Sequence, residues 1–140
     1  YITFTLGNEI YGLDVMKVDS IERMSPITRV PKTEDFVLGV INLRGEIIPV
    51  IDTRKKVGLP PKPYDEQTRI IVAKNQDCSI GLIVDNVINV LDVNEDDVQW
   101  RAEIFEEKKK EFIAGILKRE SGIILILDLD KLLSVQEIIQ

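Results

Sequence analysis

The side chains that most often carry catalysis are scarce in this chain. It has no His and a single Cys, Cys78. His is the commonest general base and a frequent metal ligand, and a cysteine nucleophile needs a neighbouring base to activate it. The sequence also has no glycine-rich phosphate loop and no cluster of cysteines. We therefore expect no catalytic residue, no bound metal and no cofactor.

Carboxylates are the exception, because the chain has 24 Asp and Glu residues. A pair of carboxylates can cleave a glycosidic bond, so an enzyme of that kind is one alternative. A β protein of 140 residues leaves little room for a deep substrate cleft, however. The net charge of −6 opposes nucleic acid as a partner, because phosphate binding needs a clustered positive field. The composition favours a binding module over an enzyme.

One short stretch is suited to binding. In "GVINLRGEIIPVID", residues 39–52, two apolar runs flank a polar tip that contains Arg44 and Gly45. The pattern predicts two strands joined by a tight turn, with Gly45 in the left-handed backbone conformation. Pro49 has no amide hydrogen and therefore predicts an edge strand or a bulge. Arg44 is either a solvated turn residue or the anchor of a docking surface, since Arg combines stem packing with a fork of donors.

The elements around this tip are mostly short strands. The alternation of apolar and polar residues predicts a hairpin at 1–15, a strand at 17–24, further strands at 68–93, a second hairpin at 112–129, a helical turn at 53–59 and a C-terminal helix at 130–140. No apolar run is long enough to cross a membrane, so direct membrane insertion is not expected.

The second half of the sequence resembles the first. Four residues recur 76 positions apart, and the pairs are Phe36 and Phe112, Gly39 and Gly115, Asp52 and Asp128, and Lys55 and Lys131. Gly12 and Gly81 recur 69 positions apart. We interpret this as a duplication of a β unit of about 65 residues, which is marginally stable alone. The repeated aspartates are predicted to be helix caps.

The repeat predicts a mainly β protein in which two five-stranded barrels pack side by side, with a few short helices. The chain is expected to form a single domain, 1–140. Its first barrel would cover about 1–62 and its second about 66–140, with a Pro-rich seam at 58–67. A terminal segment could cross between the two barrels. We expect the barrels to share a core, because each is too small to be stable alone.

The stretch "GVINLRGEIIPVIDTRKKVGL", residues 39–59, closely resembles the signature of CheW-like chemotaxis coupling proteins. It contains the family's Asn-Leu-Arg-Gly turn, the Pro, and the Asp and Arg that follow. "FTLGNEIYGLDVMKV" resembles the opening of the family and "IGLIVDNV" a strand pair of its second half. The resemblance thus covers nearly the whole chain. It implies two SH3-like barrels and a non-enzymatic adaptor.

The resemblance also implies partners and a location. Family members link the cytoplasmic tips of methyl-accepting chemoreceptors to the histidine kinase CheA, whose regulatory domain belongs to the same family. The protein is accordingly expected in the cytoplasm, where its partners hold it at receptor arrays on the inner membrane. An alternative is that the chain is a CheW-like domain from a larger chemotaxis protein, either a kinase or a coupler fused to a receiver domain.

Receptor-binding residues follow from the resemblance alone. Carried over position by position, they are Val18, Gly39, Asn42 and Arg44. The kinase contact is expected mostly on the second barrel. Ser20 departs from the family pattern, because many members have an acidic residue at this position. Asp19 and Glu22 are the neighbouring residues that can supply the missing carboxylate.

Overall fold

The protein is mainly β, as the sequence predicts. A computed structural model describes residues 1–30, 35–75, 77–100 and 112–133. In these ranges the strands are β1 (Ile2–Leu6), β2 (Glu9–Leu13), β3 (Val18–Arg23), β4 (Val37–Leu43), β5 (Glu46–Asp52), β6 (Arg69–Asn75), β7 (Cys78–Val84), β8 (Asn86–Val90), β9 (Val98–Trp100), β10 (Ile113–Arg119) and β11 (Gly122–Leu127). The helices are α1 (Thr53–Lys56) and α2 (Leu129–Leu132), with 3-10 turns at Val15–Lys17 and Glu95–Asp97.

The helical predictions are confirmed at two positions and untested at a third. Asp52 accepts a hydrogen bond from the backbone N–H of Lys55 at 3.2 Å, and Asp128 accepts one from Lys131 at 3.1 Å. Both aspartates are therefore N-caps, of α1 and α2 respectively. The C-terminal helix begins at Leu129, and the part of it predicted for 134–140 lies outside the described residues.

The strands form two sheets. The six-stranded sheet has the order β8-β1-β2-β11-β10-β9, and the five-stranded sheet has the order β3-β6-β7-β5-β4. Most neighbours are antiparallel, but β5 pairs with β7 and β11 pairs with β2 in parallel. Each parallel ladder joins a strand from one half of the sequence to a strand from the other.

The two sheets are built alike, as expected for a duplicated sequence. Val50 lies beside Gly81 in one parallel ladder, and Ile126 lies beside Gly12 in the other. These pairs match across the repeat, because Val50 and Ile126 are 76 positions apart. Each sheet thus combines the first hairpin of one repeat with the last hairpin of the other. The repeats have exchanged hairpins reciprocally.

Because of this exchange, the strands are divided between the two sheets differently from the division predicted at the seam. The seam at 58–67 was expected to separate the barrels, yet β5 and β6, on either side of it, belong to the same five-stranded sheet. The six-stranded sheet takes β1 and β2 from before the seam and its other strands from after it. Residues 60–67 are exposed, as predicted for a surface connection. The single-domain assignment for 1–140 stays a prediction.

The prediction that Pro49 marks an edge strand is wrong, because β5 lies between β7 and β4. Pro49 is tolerated there for a different reason. It faces Val40 in the β4–β5 ladder, and Val40 directs its N–H and C=O to Thr28, at 2.8 and 2.9 Å. Val40 and Pro49 are therefore a pair without mutual hydrogen bonds, so the β4–β5 ladder loses no donor, and on the side of β7 Pro49 precedes the first pair of the parallel ladder, Val50 with Gly81. The bulge lies on β4, where the register shifts between Val37 and Gly39.

A central core joins the two sheets. It contains Phe4 and Tyr11 of the six-stranded sheet together with Ile51 and Leu82 of the five-stranded sheet, all fully or almost fully buried. A second apolar cluster, with Ile48 among its members, lies on the opposite face of the five-stranded sheet. Since burial of apolar area is the main stabilising term in folding, the central core holds the two sheets against each other.

Candidate docking surface

The turn between β4 and β5 has a backbone conformation that L-amino acids rarely adopt. Leu43 pairs with Glu46, so the loop contains Arg44 and Gly45 alone. Their φ angles are +52° and +84°, as in a type I′ hairpin turn. The predicted left-handed conformation of Gly45 is confirmed. Among the described residues, Arg44 is the only residue other than Gly with a positive φ.

This turn is a locally unfavourable place for Arg. A left-handed conformation costs a residue with a Cβ about 1 kcal/mol, and Asn-Gly is the sequence that type I′ turns prefer. The turn is held in place by Asn42, whose Oδ1 accepts the backbone N–H of Gly45 at 3.1 Å. Residues kept in strained conformations by their surroundings concentrate at functional sites. The strain at Arg44 is therefore an observation in favour of a binding role.

Arg44 reaches across to the opposite edge strand of the five-stranded sheet. Its guanidinium Nη2 donates to Oε2 of Glu22 on β3 at 3.3 Å. The Arg44 side chain is 73% exposed and that of Glu22 is 22% exposed. Asp19 instead pairs with Lys74 at 3.5 Å. Of the two carboxylates that could replace the acidic residue missing at Ser20, Glu22 is the one that contacts Arg44.

The Arg44–Glu22 pair is expected to orient the guanidinium rather than to stabilise the fold, because exposed ion pairs contribute about 0–1 kcal/mol. We predict that Glu22→Gln leaves the melting temperature nearly unchanged and lowers the order parameter of the Arg44 Nε–H bond. Asp19→Asn is the matched control, since it removes an exposed pair on the same strand. An Arg44 order parameter that is the same in wild type and Glu22→Gln would contradict this prediction. 15N relaxation gives the order parameter of the Arg44 Nε–H bond in the wild type and in both variants.

A shallow groove of about 240 Å³ lies beside this pair, at the mouth of the second apolar cluster. Its lining includes Ser20, Leu43, Arg44, Ile48 and Val72. Ser20 therefore lies in the groove although its hydroxyl carries no charge. The groove combines an apolar floor with a rim of charged side chains, which suits a contact with another protein.

Asn42 and Ile47 face each other across β4 and β5, on the face of the sheet opposite to Ile48 and the groove. Ile47 is 60% exposed and is one of several large apolar side chains that face solvent. Ile47 was not among the residues predicted from the sequence, although the alternation in "EIIPVID" contains the signal. Ile48 and Val50 are buried on one face of β5, so Ile47 must lie on the other. We call Asn42, Arg44 and Ile47 the exposed ribbon.

Gly39 lies away from the exposed ribbon. It is buried, its φ is +152°, and a Cβ built on it would lie 2.1 Å from the carbonyl oxygen of Thr28. No side chain can occupy that space unless the backbone at Thr28 moves. Close packing of two backbone segments accounts for this glycine.

Val18 is the only one of the four predicted receptor-binding residues that lies on β3. It begins β3, which is one edge of the five-stranded sheet, whereas β4 is the other edge. Asp19 and Ser20, which follow Val18 on β3, nevertheless line the same groove as Arg44. Val18 is half-buried and packs against the central core. The structure thus brings Asn42 and Arg44 together at one turn, buries Gly39 and packs Val18 against the central core.

The described part of the chain offers little for catalysis or for metal binding. No group of three or more His, Cys, Asp or Glu side chains in the described ranges is placed to hold a metal ion. None of the helices within those ranges is both long enough and apolar enough to span a membrane. A rigid turn, an exposed apolar residue and a shallow groove are features of a surface that binds another protein. Fold and surface together define a β-sheet scaffold or adaptor domain.

The chain belongs to the CheW-like domain family, whose model matches residues 1–137. Chemotaxis protein CheW of Klebsiella aerogenes is 36% identical over 137 residues, which cover 98% of this chain and 82% of that protein. Chemotaxis protein CheW of Bacillus subtilis is 36% identical over 132 residues, which cover 94% and 85%. The crystal structure of the scaffolding protein TtCheW from Thermoanaerobacter tengcongensis superposes with a TM-score of 0.86 at 34% identity, covering 97% of this chain and 92% of that one.

These similarities confirm the family resemblance and the fold that the sequence predicted. The chain is a chemotaxis scaffolding protein and its family is non-enzymatic. The alternative of an enzyme with paired carboxylates is therefore excluded, in agreement with the preference for a binding module.

Proposed function

We propose that this scaffold couples methyl-accepting chemoreceptors to the histidine kinase CheA. The observation that carries the proposal is the strained turn at Arg44, which presents a charged side chain on a backbone fixed by Asn42. A rigid mount suits recognition, because little conformational entropy remains to be lost when the partner docks. The resemblance to CheW-like couplers supplies the identity of the partners.

In this proposal the four receptor-binding residues contribute in different ways. Arg44 touches the receptor tip directly, and the exposed Ile47 beside it adds an apolar contact. Asn42 holds the turn, and Gly39 keeps β4 seated against Thr28. Val18 extends the contact from the other edge of the same sheet.

The kinase contact is proposed elsewhere, on the second half of the chain. Two partners must bind together if the protein is to couple them, so their surfaces cannot overlap. The protein would then act in the cytoplasm, held at receptor arrays on the inner membrane through these partners. Coupling requires only that both partners be fixed in one geometry, which a scaffold without catalytic groups can provide.

The test is a pair of titrations with the full chain, one with a receptor-tip fragment and one with the CheA regulatory domain. We expect both partners to bind, and we expect a saturating amount of one to leave the binding of the other intact. Competition between the two partners, or failure of either to bind, would contradict the proposal. Ile47→Asp should weaken receptor binding and leave kinase binding unchanged, because it places a charge on the exposed ribbon.

A further inference from the structure

The chain passes between the two sheets at Asp85, and the carboxylate of this residue contacts both of them. Asp85 follows β7 of the five-stranded sheet and precedes β8 of the six-stranded sheet. Its backbone N–H donates to the carbonyl oxygen of Thr5 on β1 at 3.0 Å. Its Oδ2 accepts the N–H of Gly7, in the turn between β1 and β2, at 2.8 Å. Asp85 is therefore fixed to the six-stranded sheet by two hydrogen bonds.

The same carboxylate oxygen is ion-paired to the other sheet. Nη1 of Arg54 donates to Oδ2 of Asp85, and the two side chains are only 14% and 11% exposed. Arg54 lies in α1, directly after β5 of the five-stranded sheet. Its Nε donates to the carbonyl oxygen of Pro60 at 2.9 Å, so one guanidinium also holds the start of the Pro-rich segment. Arg suits this position because its planar fork can donate in two directions at once.

We propose that the Arg54–Asp85 pair fixes the orientation of the five-stranded sheet relative to the six-stranded sheet, which makes both residues positioning residues of the scaffold. Both side chains are largely buried, and a largely buried charge that loses its partner is unfavourable, so the pair resists any rotation that would separate α1 from the turn at Gly7. The consequence for signalling rests on the proposed function: two partners bound to different parts of the chain keep a fixed geometry only if the sheets do not rotate.

The repeat provides a comparison within the same molecule. The second passage between the sheets runs from β2 to β3 through the 3-10 turn at Val15–Lys17. In the place equivalent to Arg54, 76 positions along, the chain has Asp130, which pairs with Lys17 at 3.7 Å. These side chains are 43% and 62% exposed, so solvent screens the pair. Among the described residues, one passage thus carries a largely buried ion pair and the other an exposed one.

The first test measures orientation directly and needs no partner. Spin labels are attached at Lys74→Cys on β6 and Lys118→Cys on β10, one in each sheet and both exposed, in a Cys78→Ser background. Double electron–electron resonance then gives the distribution of distances between the labels. We expect a narrow distribution in the wild type and a broadened or shifted one when the buried pair is removed.

The choice of variant separates orientation from stability. Replacing both members of a buried ion pair by apolar residues is often neutral or stabilising, so Arg54→Met with Asp85→Leu is expected to remain folded. Arg54→Lys keeps the charge but lacks the fork that reaches Asp85 and Pro60 together. Lys17→Gln with Asp130→Asn is the matched control, because it removes the exposed pair at the equivalent passage. Its distance distribution should equal that of the wild type.

The second test asks whether orientation matters for coupling. For the apolar double variant we expect nearly unchanged affinities for the receptor-tip fragment and for the CheA regulatory domain taken singly. Kinase activation in a reconstituted assembly of receptor, kinase and scaffold should fall about fivefold or more, a typical size for coupling between two sites. If Arg54 and Asp85 only stabilised the fold, an apolar double variant that melts at the wild-type temperature would show full kinase activation.

The outcomes distinguish this inference from the proposed function. A wild-type distance distribution in the folded double variant and in Arg54→Lys overturns the inference, whatever the partners do. If the wild-type protein binds neither partner, the proposed function is wrong, and the spin-label distances alone decide the role of Arg54 and Asp85. A broadened distance distribution together with full kinase activation would show that the pair orients the sheets but that coupling does not depend on their orientation. That result would contradict the part of the inference that concerns signalling.

Discussion

Gly39→Ala is expected to lower the free energy of unfolding by about 3 kcal/mol or more, the largest effect of any single substitution considered for this protein. For a domain of this size the melting temperature should fall by roughly 10 °C. The added methyl group would lie 2.1 Å from the carbonyl oxygen of Thr28, well inside van der Waals contact. A φ of +152° adds backbone strain for any residue with a Cβ.

The steric conflict at Gly39 has no inexpensive way to relax. The obstacle is a backbone carbonyl, not the end of a flexible side chain. That carbonyl oxygen accepts the N–H of Val40, and the N–H of Thr28 donates to Val40 in return, at 2.8 and 2.9 Å. Moving Thr28 away from β4 would break both hydrogen bonds. Relief of the clash therefore costs pairing at the edge of the five-stranded sheet.

Gly45→Ala is the control that measures the cost of a positive φ alone, without a steric clash. Gly45 also has a positive φ, +84°, but no atom lies within 4 Å of the position that a Cβ would take. Its replacement should cost only about 1 kcal/mol, the strain of a left-handed residue. Thermal denaturation of both variants gives the comparison. If the two melting temperatures fall equally, steric exclusion at Thr28 is not the reason for glycine at position 39.

This result bears on how Gly39 is interpreted. The family resemblance assigns it to the receptor contact, whereas the structure buries it against the backbone of Thr28. We expect weaker receptor binding in Gly39→Ala only together with a lowered melting temperature. A variant that melts normally but binds the receptor poorly would return Gly39 to the contact surface.

The elements of the fold could be predicted from the sequence, but the sheet that each element joins could not. Alternating apolar residues and turn signals located the hairpins, and the matched glycines and aspartates located the repeat. The exchange of hairpins depends on parallel ladders such as Val50 with Gly81, whose partners lie 31 positions apart. Nothing local in "EIIPVID" specifies a parallel neighbour. The boundary at 58–67 followed the Pro-rich composition, which marks a surface connection and not a division between sheets.

The candidate site was predicted in a similar way. The residue types at the turn pointed to Arg44 and Gly45, but the positive φ of Arg44 could not be foreseen, because the usual sequence for such a turn is Asn-Gly. The largely buried ion pair of Arg54 and Asp85 could not be predicted for another reason. In "DTRKKVG" Arg54 reads as one of several solvated cations on a helical turn, and its burial depends on how residues 60–64 and β7 surround it.

The second large effect is expected at Arg44, where substitutions should separate binding from stability. Arg44→Ala keeps a Cβ at a positive φ and removes an exposed ion pair, so stability should change by only about 0.5 kcal/mol. Arg44→Asn places the residue that type I′ turns prefer and should stabilise the hairpin by up to about 1 kcal/mol. If Arg44 anchors the receptor, both variants should lose about 1–2 kcal/mol of receptor affinity, roughly 5–30-fold.

For Arg44→Asn we expect the stability to rise and the receptor affinity to fall, and these opposite changes make the experiment decisive. A residue retained for the sake of the fold cannot be replaced with a gain in stability, so a higher melting temperature would mean that Arg is kept at this turn for something other than folding. Thermal melts give the stability, and titrations with a receptor-tip fragment and with the CheA regulatory domain give the affinities. Kinase affinity should be unchanged, because that contact is proposed on the other half of the chain. Unchanged receptor affinity in both variants would mean that Arg44 is only a solvated turn residue. A lowered melting temperature in Arg44→Asn would mean that the contact of Arg44 with Glu22 stabilises the fold more than an exposed ion pair should.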